Sequence, residues 1–183
     1  MSLSDLPQNL PVPVDDGAAS HLACLLLPDV TLTATSGETV NLAALKGYAV
    51  IYIYPMTGRP DLALPDGWDA IPGARGCTPQ SCSFRDHYDE LKAWDVTLYG
   101  LSTQSTEYQQ EVKARLNLPY ELLSDEGRKL KDAMALPTFT VEDMELYKRL
   151  TMIAKDGEII KVFYPVFPPD KNAGDVVVWF QNL

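Results

Sequence analysis

Long apolar runs are missing from this sequence. No window approaches the roughly 18 consecutive apolar residues that a membrane span requires, and the greasiest early stretch, LACLLLP at 22–28, has neither a basic flank nor a small-residue cleavage pattern. Positive charge is also scarce. Fifteen Lys and Arg face twenty-five Asp and Glu, a formal net charge of -10, so a nucleic acid or an anionic membrane would be repelled at long range. Two histidines, three cysteines and no Cys-x-x-Cys argue against a zinc or copper site. Three cysteines are likewise too few for the disulfide scaffold of a small secreted domain. Internal repeats and low-complexity tracts are absent. The expectation is a cytoplasmic protein without a nucleic-acid or membrane partner, whose thiols are buried, metal-bound or catalytic.

What is present suits one domain with a substantial core: 46% of the 183 residues are hydrophobic and 22% charged. Residues 1–20 are rich in proline, small and acidic residues and read as an extended arm, leaving 21–183 as the domain. DVTLTATSGETVNL, at 29–42, alternates Val30, Leu32, Val40 and Leu42 about a Ser-Gly turn, the pattern of a β-hairpin. AVIYIYP, at 49–55, is continuous, apolar and rich in β-branched and aromatic residues, which suits a central strand buried on both faces.

Residues 56–76 are rich in proline and glycine and show no period, so they form a long loop, and long loops inside compact domains tend to be functional. Thr78-Pro79 then reads as an N-cap with proline at the first helical position, and Phe84, Tyr88, Leu91 and Trp94 continue at helical spacing, predicting a helix over about 79–93. VTLYGLS is the next strand, STEYQQEVKARL an amphipathic helix, YELLSD a short extended piece and EGRKLKDAM another helix. LYKRLTMIA and EIIKVFYPV form a hairpin about the turn KDG, and a last helix covers about 172–182. YPVFPP, at 164–169, suits a sheet edge followed by a rigid loop. Alternating βα units followed by an antiparallel pair predict an α/β fold with a mixed central sheet flanked by helices, thioredoxin-like in its order, with the hairpin as an N-terminal extension.

The chemistry concentrates in RGCTPQSCSFRD, residues 75–86, which holds two of the three cysteines. Amide ends and aligned dipoles at a helix N-terminus stabilise an anion, and only the thiolate is a good nucleophile, so Cys77 reads as the reactive thiol. If the helix includes Cys77, residues five apart have Cα atoms roughly 8 to 9 Å apart, whereas a disulfide needs about 4.4 to 6.8 Å. Bonding Cys77 to Cys82 then requires local unwinding. Two cysteines used as small hydrophobes is the plainer reading, and the spacing differs from the Cys-x-x-Cys of disulfide-exchange proteins. Cys24 lies in an apolar run and reads as buried and inert. His87 and the Arg85–Asp86 pair read as surface groups.

GCTPQSCSFRD resembles the active-site segment of peroxiredoxins, in particular the peroxiredoxin Q or bacterioferritin-comigratory type. YIYP before the loop, GLSTQS, LPYELLSD and KRLTMIAKDGEIIKVF extend the resemblance over about residues 28–180. It implies a thioredoxin-like fold and reduction of hydrogen peroxide or organic hydroperoxides by cysteine alone, with no metal, haem or flavin. It also implies an external reductant, thioredoxin-like or a small thiol. Monomers and homodimers both occur in such a family.

Matched position by position, Cys77 corresponds to the peroxidatic cysteine, Cys82 to the resolving one and Arg149 to the arginine that holds the thiolate and the peroxide. Gly76, Thr78, Arg75, Pro55 and Thr57 are the candidate substrate-binding residues. The sequence departs from the family where a Pro-x-x-x-Thr-x-x-Cys motif would stand: Ala70 and Ala74 occupy the proline and threonine positions. About fifteen inserted residues separate Pro55 and Thr57 from Cys77, so either Thr57 folds back or a backbone amide takes the hydroxyl's place. Two other classes fit the same thiol pair: a redox-sensing switch with little turnover, and a protein disulfide reductase.

Overall fold

The run that the sequence marks as a doubly buried strand does become one. In the computed structural model, which describes residues 2–183, β3 (Tyr48–Ile53) is buried from Ala49 onward. It pairs in parallel with β4 (Val96–Ser102) and antiparallel with β8 (Leu150–Lys155). β4 carries β5 (Glu121–Ser124) in parallel on its other side. β1 (Thr31–Ala34) and β2 (Thr39–Asn41) form the early hairpin, which joins the sheet through an antiparallel β1–β5 contact. β9 (Glu158–Phe163) closes the far edge against β8 through the Asp156-Gly157 turn. The sheet is mixed, in the order β2-β1-β5-β4-β3-β8-β9.

Strand periodicity distributes the side chains between two cores. On β3, Val50 and Tyr52 face one side, where they meet Phe84, Leu91, Val112 and Phe180. These belong to α1 (Cys77–Asp86), α2 (Tyr88–Ala93), α3 (Thr106–Leu116) and α5 (Asn172–Gln181). Ile51 and Ile53 face the other side, packed with Leu130 and Met134 of α4 (Lys129–Met134) and with Ala19, Leu22 and Leu27. Helices therefore flank both faces of a mixed sheet, the arrangement expected. Tyr52 and Phe84 stack with ring centroids 4.4 Å apart, a contact worth about 0.5–1.5 kcal/mol beyond the area it buries. That stack anchors α1 to the sheet.

Two segments differ from the sequence reading. The helix expected over 79–93 starts two residues earlier, at Cys77, and divides at His87 into α1 and α2. Gly76 explains the early start: it caps the helix in the left-handed region, with φ 108°. Thr78 is thus not the cap but the second helical residue. Pro79 is tolerated as the third because its missing N–H is one that the first turn leaves unpaired anyway. The strand expected over 146–154 is also interrupted. Its beginning, β7 (Met144–Tyr147), pairs with β6 (Thr138–Val141) in a separate two-stranded sheet, and Lys148 and Arg149 form the joint to β8.

That small sheet has a partner. Trp68 and Ala74 of the 56–76 loop pack on Val141 and Leu146, with Met56, Leu64, Ile71, Phe139 and Met144 around them. The loop holds one short 3-10 turn, Trp68–Ala70, and a hydrophobic cluster of its own. Residues 2–20 contain no helix or strand. They cross the molecule in turns, fastened at Asp16, which accepts from Lys148 Nζ at 2.6 Å and from the Tyr164 hydroxyl at 2.7 Å.

Candidate active site

The first half of α1 is sunk into the protein. Cys77, Thr78, Pro79, Gln80 and Ser81 are all buried, although three of them are polar. A buried polar group needs a partner, and the partners of this stretch define the site.

Arg149, 3% exposed, reaches the start of α1 from the β7–β8 joint. Its Nη2 donates to the Cys77 sulfur at 3.1 Å. The same nitrogen lies 3.2 Å from the Gly73 carbonyl and 3.0 Å from the Ala74 carbonyl, at the end of the long loop. Nη1 donates to Gln80 Oε1. Gln80 Nε2 in turn donates to Asn172 Oδ1 at 3.0 Å, and the same oxygen accepts from the Thr151 hydroxyl at 2.7 Å. All five side chains are buried.

None of the ion pairs among the described residues includes Arg149. A buried guanidinium with neutral partners is costly unless negative charge develops beside it. The one group in contact that can supply that charge is the Cys77 sulfur. In the thiol form the sulfur also lies 3.7 Å from the Ala74 carbonyl as a donor. The guanidinium contact, by contrast, strengthens when the proton leaves.

A second set of bonds fixes the middle of the helix. The Tyr52 hydroxyl donates to Ser81 Oγ at 3.0 Å, Tyr120 donates to the Ser81 carbonyl at 2.8 Å, and the two phenols stand 2.9 Å apart. Burial pushes the Tyr52 and Tyr120 hydroxyls well above the usual tyrosine range, so both stay neutral donors. The Tyr54 hydroxyl, raised in the same way, is buried with no partner.

Cys82, five residues on, is half-buried and packs against the edge of the apolar cluster that holds Phe84 and Leu91. Burial raises its pKa above the ordinary 9.0, Arg85 opposes that shift and Asp86 adds to it. Arg85 pairs with Asp86 at 2.9 Å and donates to the Leu116 carbonyl. Cys77, Cys82 and Cys24 are all free thiols.

The structure brings Cys77, Gly76, Arg75 and Arg149 together. Arg75 is buried and lines the same small void as Cys77, but Asp69 pairs with it at 3.1 Å, which offsets its charge. The Thr57 hydroxyl is engaged away from the thiol: it donates to Gln104 Oε1 at 3.1 Å, and the Thr57 N–H donates to the same oxygen at 2.9 Å. Tyr108 of α3 donates to the Thr57 carbonyl at 2.8 Å, and Pro55, two residues earlier, is buried. Thr78 is buried within the first helical turn.

Cys24, expected to be buried, is exposed. Residues 24–26 pair by backbone with the outer edge of β9, Cys24 N–H to the Ile159 carbonyl at 2.9 Å, so the Cys24, Leu25 and Leu26 side chains turn outward. Gln80, Asn172 and Thr151 were not singled out from the sequence. The one signal was the run of polar residues, TPQS, at the start of a helix that must pack.

Residues 25–177 match the Redoxin family. The chain is 33% identical over 151 residues to peroxiredoxin Bcp of Bacillus subtilis, covering 80% of this chain and 87% of that one. It is 29% identical over 160 residues to the chloroplastic peroxiredoxin Q of Oryza sativa subsp. japonica, covering 85% of this chain but 65% of that one, so it spans about two thirds of the rice protein's length. Among solved structures, the peroxidoxin BcpB of Mycobacterium tuberculosis superposes with a TM-score of 0.71 at 21% identity, covering 88% of this chain and 97% of that one. A buried helix that opens with a cysteine under an unpaired arginine, on this sheet and with these relatives, places the chain in the redoxin family, among the peroxiredoxins of the Q/Bcp type.

Proposed function

We propose that the chain is a thiol-dependent peroxidase acting on hydroperoxides, and that the observation carrying this reading is the contact of Arg149, a buried cation with no acidic partner, with Cys77. The guanidinium favours negative charge on the sulfur and then on the oxygen that leaves. Cys77 thiolate attacks one peroxide oxygen, the O–O bond breaks, and the departing hydroxide or alkoxide takes up a proton as water or alcohol. The sulfur, oxidised by two electrons, is left as sulfenic acid. The Cys82 sulfur then attacks it with loss of water to give a disulfide, and an external dithiol supplies the two electrons that restore both thiols.

Thr57 is engaged by Gln104, so the N–H groups at the first turn of α1, which a helix leaves unpaired, are the donors for the peroxide oxygens. Cys77–Cys82 bonding needs the first turns of α1 to unwind, because both thiols lie on that helix. The bacterioferritin comigratory protein of Xanthomonas campestris, a structural neighbour at a TM-score of 0.67, is described for its alkyl peroxide reduction activity. No helix among the described residues is long and apolar enough to cross a membrane. We place the cycle in a reducing compartment such as the cytoplasm, with thioredoxin or a small thiol as reductant and no bound cofactor.

The test is consumption of hydrogen peroxide with thioredoxin or dithiothreitol, comparing the chain with Cys77→Ser. The variant is expected to lose turnover entirely, and retained turnover refutes the reading. The burial of Cys77 and the missing family threonine favour one rival, a redox switch that oxidises once per molecule. Many cycles per molecule exclude it.

A further inference from the structure

Cys77 is 3% exposed, and the void that it helps to line is about 10 Å³, room for one water at most. Its walls are Met56, Leu64 and Trp68 from the long loop, Gly76 and Thr78 from the helix start, and Leu3. Leu3 comes from the other end of the chain. Its side chain rests over Gly58 and that of Leu6 over Gly76, so close that a Cβ at either glycine would stand 2.8 Å from a leucine methyl. The Ser2 carbonyl accepts from Arg75 Nη2 at 3.3 Å. Residues 2–6 thus lie as a strap across the mouth of the thiol site.

We propose that this strap is a specificity-determining element: Leu3 and Leu6 close the Cys77 site against bulky hydroperoxides and leave it responsive to hydrogen peroxide. The inference rests on the peroxidase reading and names the substrate class within it. Any substrate larger than water must push a wall aside, and the walls differ in stiffness. The loop side is tied into the cluster of Trp68, Ala74, Val141 and Leu146, and the helix side into the Arg149 and tyrosine networks. The strap has no helix or strand, its two leucines are only half-buried, and among the described residues the bond from the Arg75 side chain to the Ser2 carbonyl is what ties its end to the loop. A small displacement of Leu3 admits a two-oxygen molecule, whereas an aryl or branched alkyl group requires Leu3 and Leu6 to leave their glycines together. The strap precedes the family match, which begins at residue 25, so the family model does not specify it.

The experiment compares the full chain with Leu3→Ala, Leu6→Ala and the double variant. Cys77 oxidation is followed by tryptophan fluorescence, since Trp68 lines the void, with hydrogen peroxide and with cumene hydroperoxide. Apolar pockets discriminate by about 10- to 200-fold per methylene gained or lost. On that scale the double variant is expected to react about 10-fold faster with cumene hydroperoxide and within about 2-fold of the parent with hydrogen peroxide. Both leucines are half-buried at the surface, and an unchanged circular dichroism spectrum with an unchanged hydrogen peroxide rate marks the fold as intact.

A ratio of the two rates that stays the same in all three variants overturns the proposal. A second readout needs no peroxide chemistry: alkylation of the Cys77 peptide by iodoacetamide and by fluorescein maleimide, resolved by mass spectrometry. The variants are expected to gain chiefly with the bulky reagent. If no protein oxidises Cys77 with either peroxide, the peroxidase reading fails, and the alkylation ratio alone decides the strap: raised, it stands; unchanged, it falls.

Discussion

Cys77 and Cys82 share one helix and one sequence motif, but they occupy opposite environments. The first is enclosed where α1 begins, with a guanidinium at 3.1 Å from its sulfur and no carboxylate to draw that charge away. The second sits half-exposed on the helix flank, and what dominates there is burial beside apolar groups, which keeps the proton on. Between them, Ser81 is held through both its hydroxyl and its carbonyl by two neutral tyrosines. The difference shows how one helix can place identical side chains in unlike surroundings. On the peroxidase reading, position along the dipole and access to one buried cation suit the first to nucleophilic attack, and a greasy flank suits the second to wait. On the same reading, the tyrosine clamp on Ser81 holds the two thiols apart until the first has reacted.

The most damaging change to this contrast is Arg149→Met, which keeps bulk and removes the charge. Loss of one preorganised electrostatic contact to a developing anion costs about 10²- to 10³-fold in rate. Oxidation of Cys77 by hydrogen peroxide is therefore expected to slow by about that factor, while alkylation of Cys82, which Arg149 does not touch, stays at the parent rate. Stopped-flow oxidation and peptide-resolved alkylation measure the two. Equal slowing at both cysteines would mean that the arginine acts by holding the fold together and that the contrast is not electrostatic.

A milder change addresses the separation of the thiols. Tyr120→Phe removes the bond to the Ser81 carbonyl, worth about 1 kcal/mol net, which converts to about 5-fold in an equilibrium. The first oxidation of Cys77 is expected to keep its rate and the following disulfide step to accelerate by up to about that factor, because the unwound state of α1 gains population. The two phases separate in a fluorescence trace after mixing with peroxide. A slower second phase would show that the clamp guides the resolving thiol instead of restraining it.

Most of the fold could be read from the sequence because its elements are local. β4 begins and ends where VTLYGLS does, the last hairpin turns at Asp156-Gly157, and β3 announces itself by an apolar run that only a central strand can satisfy. Cys77 and Arg149 were legible through a motif and a turn that fixes the register. What stayed hidden depends on contacts between distant positions. Gln80 and Asn172 are 92 positions apart, and nothing local in either says that it will be buried against the other. Thr57 looked available because the insertion's path was unknown, and its hydroxyl is taken by Gln104, 47 positions away. Cys24 was misjudged because an apolar run at a sheet edge can turn its side chains outward while its backbone bonds inward. The early start of α1 turned on one conformational fact, the positive φ of Gly76, which places the glycine and not the threonine at the cap.

The smallest effect concerns the second thiol alone. Burial disfavours the charged form of Cys82, so as pH rises its proton leaves later than from an ordinary thiol of pKa 9.0. Iodoacetamide alkylation of the Cys82 peptide, plotted against pH, is expected to reach its midpoint above 9.0. Arg85 is the leading opposing influence, so Arg85→Met moves the midpoint further up and Asp86→Asn moves it down. The sign also carries to stability. On raising the pH the unfolded chain releases the Cys82 proton first and binds fewer protons than the folded one, so this group's contribution to stability is intact below the ordinary value and falls as pH climbs past it. Thermal unfolding of the parent and of Cys82→Ala across that range isolates the contribution, the parent alone losing it. A midpoint at or below the ordinary thiol value would place Cys82 among charges that stabilise its thiolate, and the two cysteines would then differ in position but not in kind.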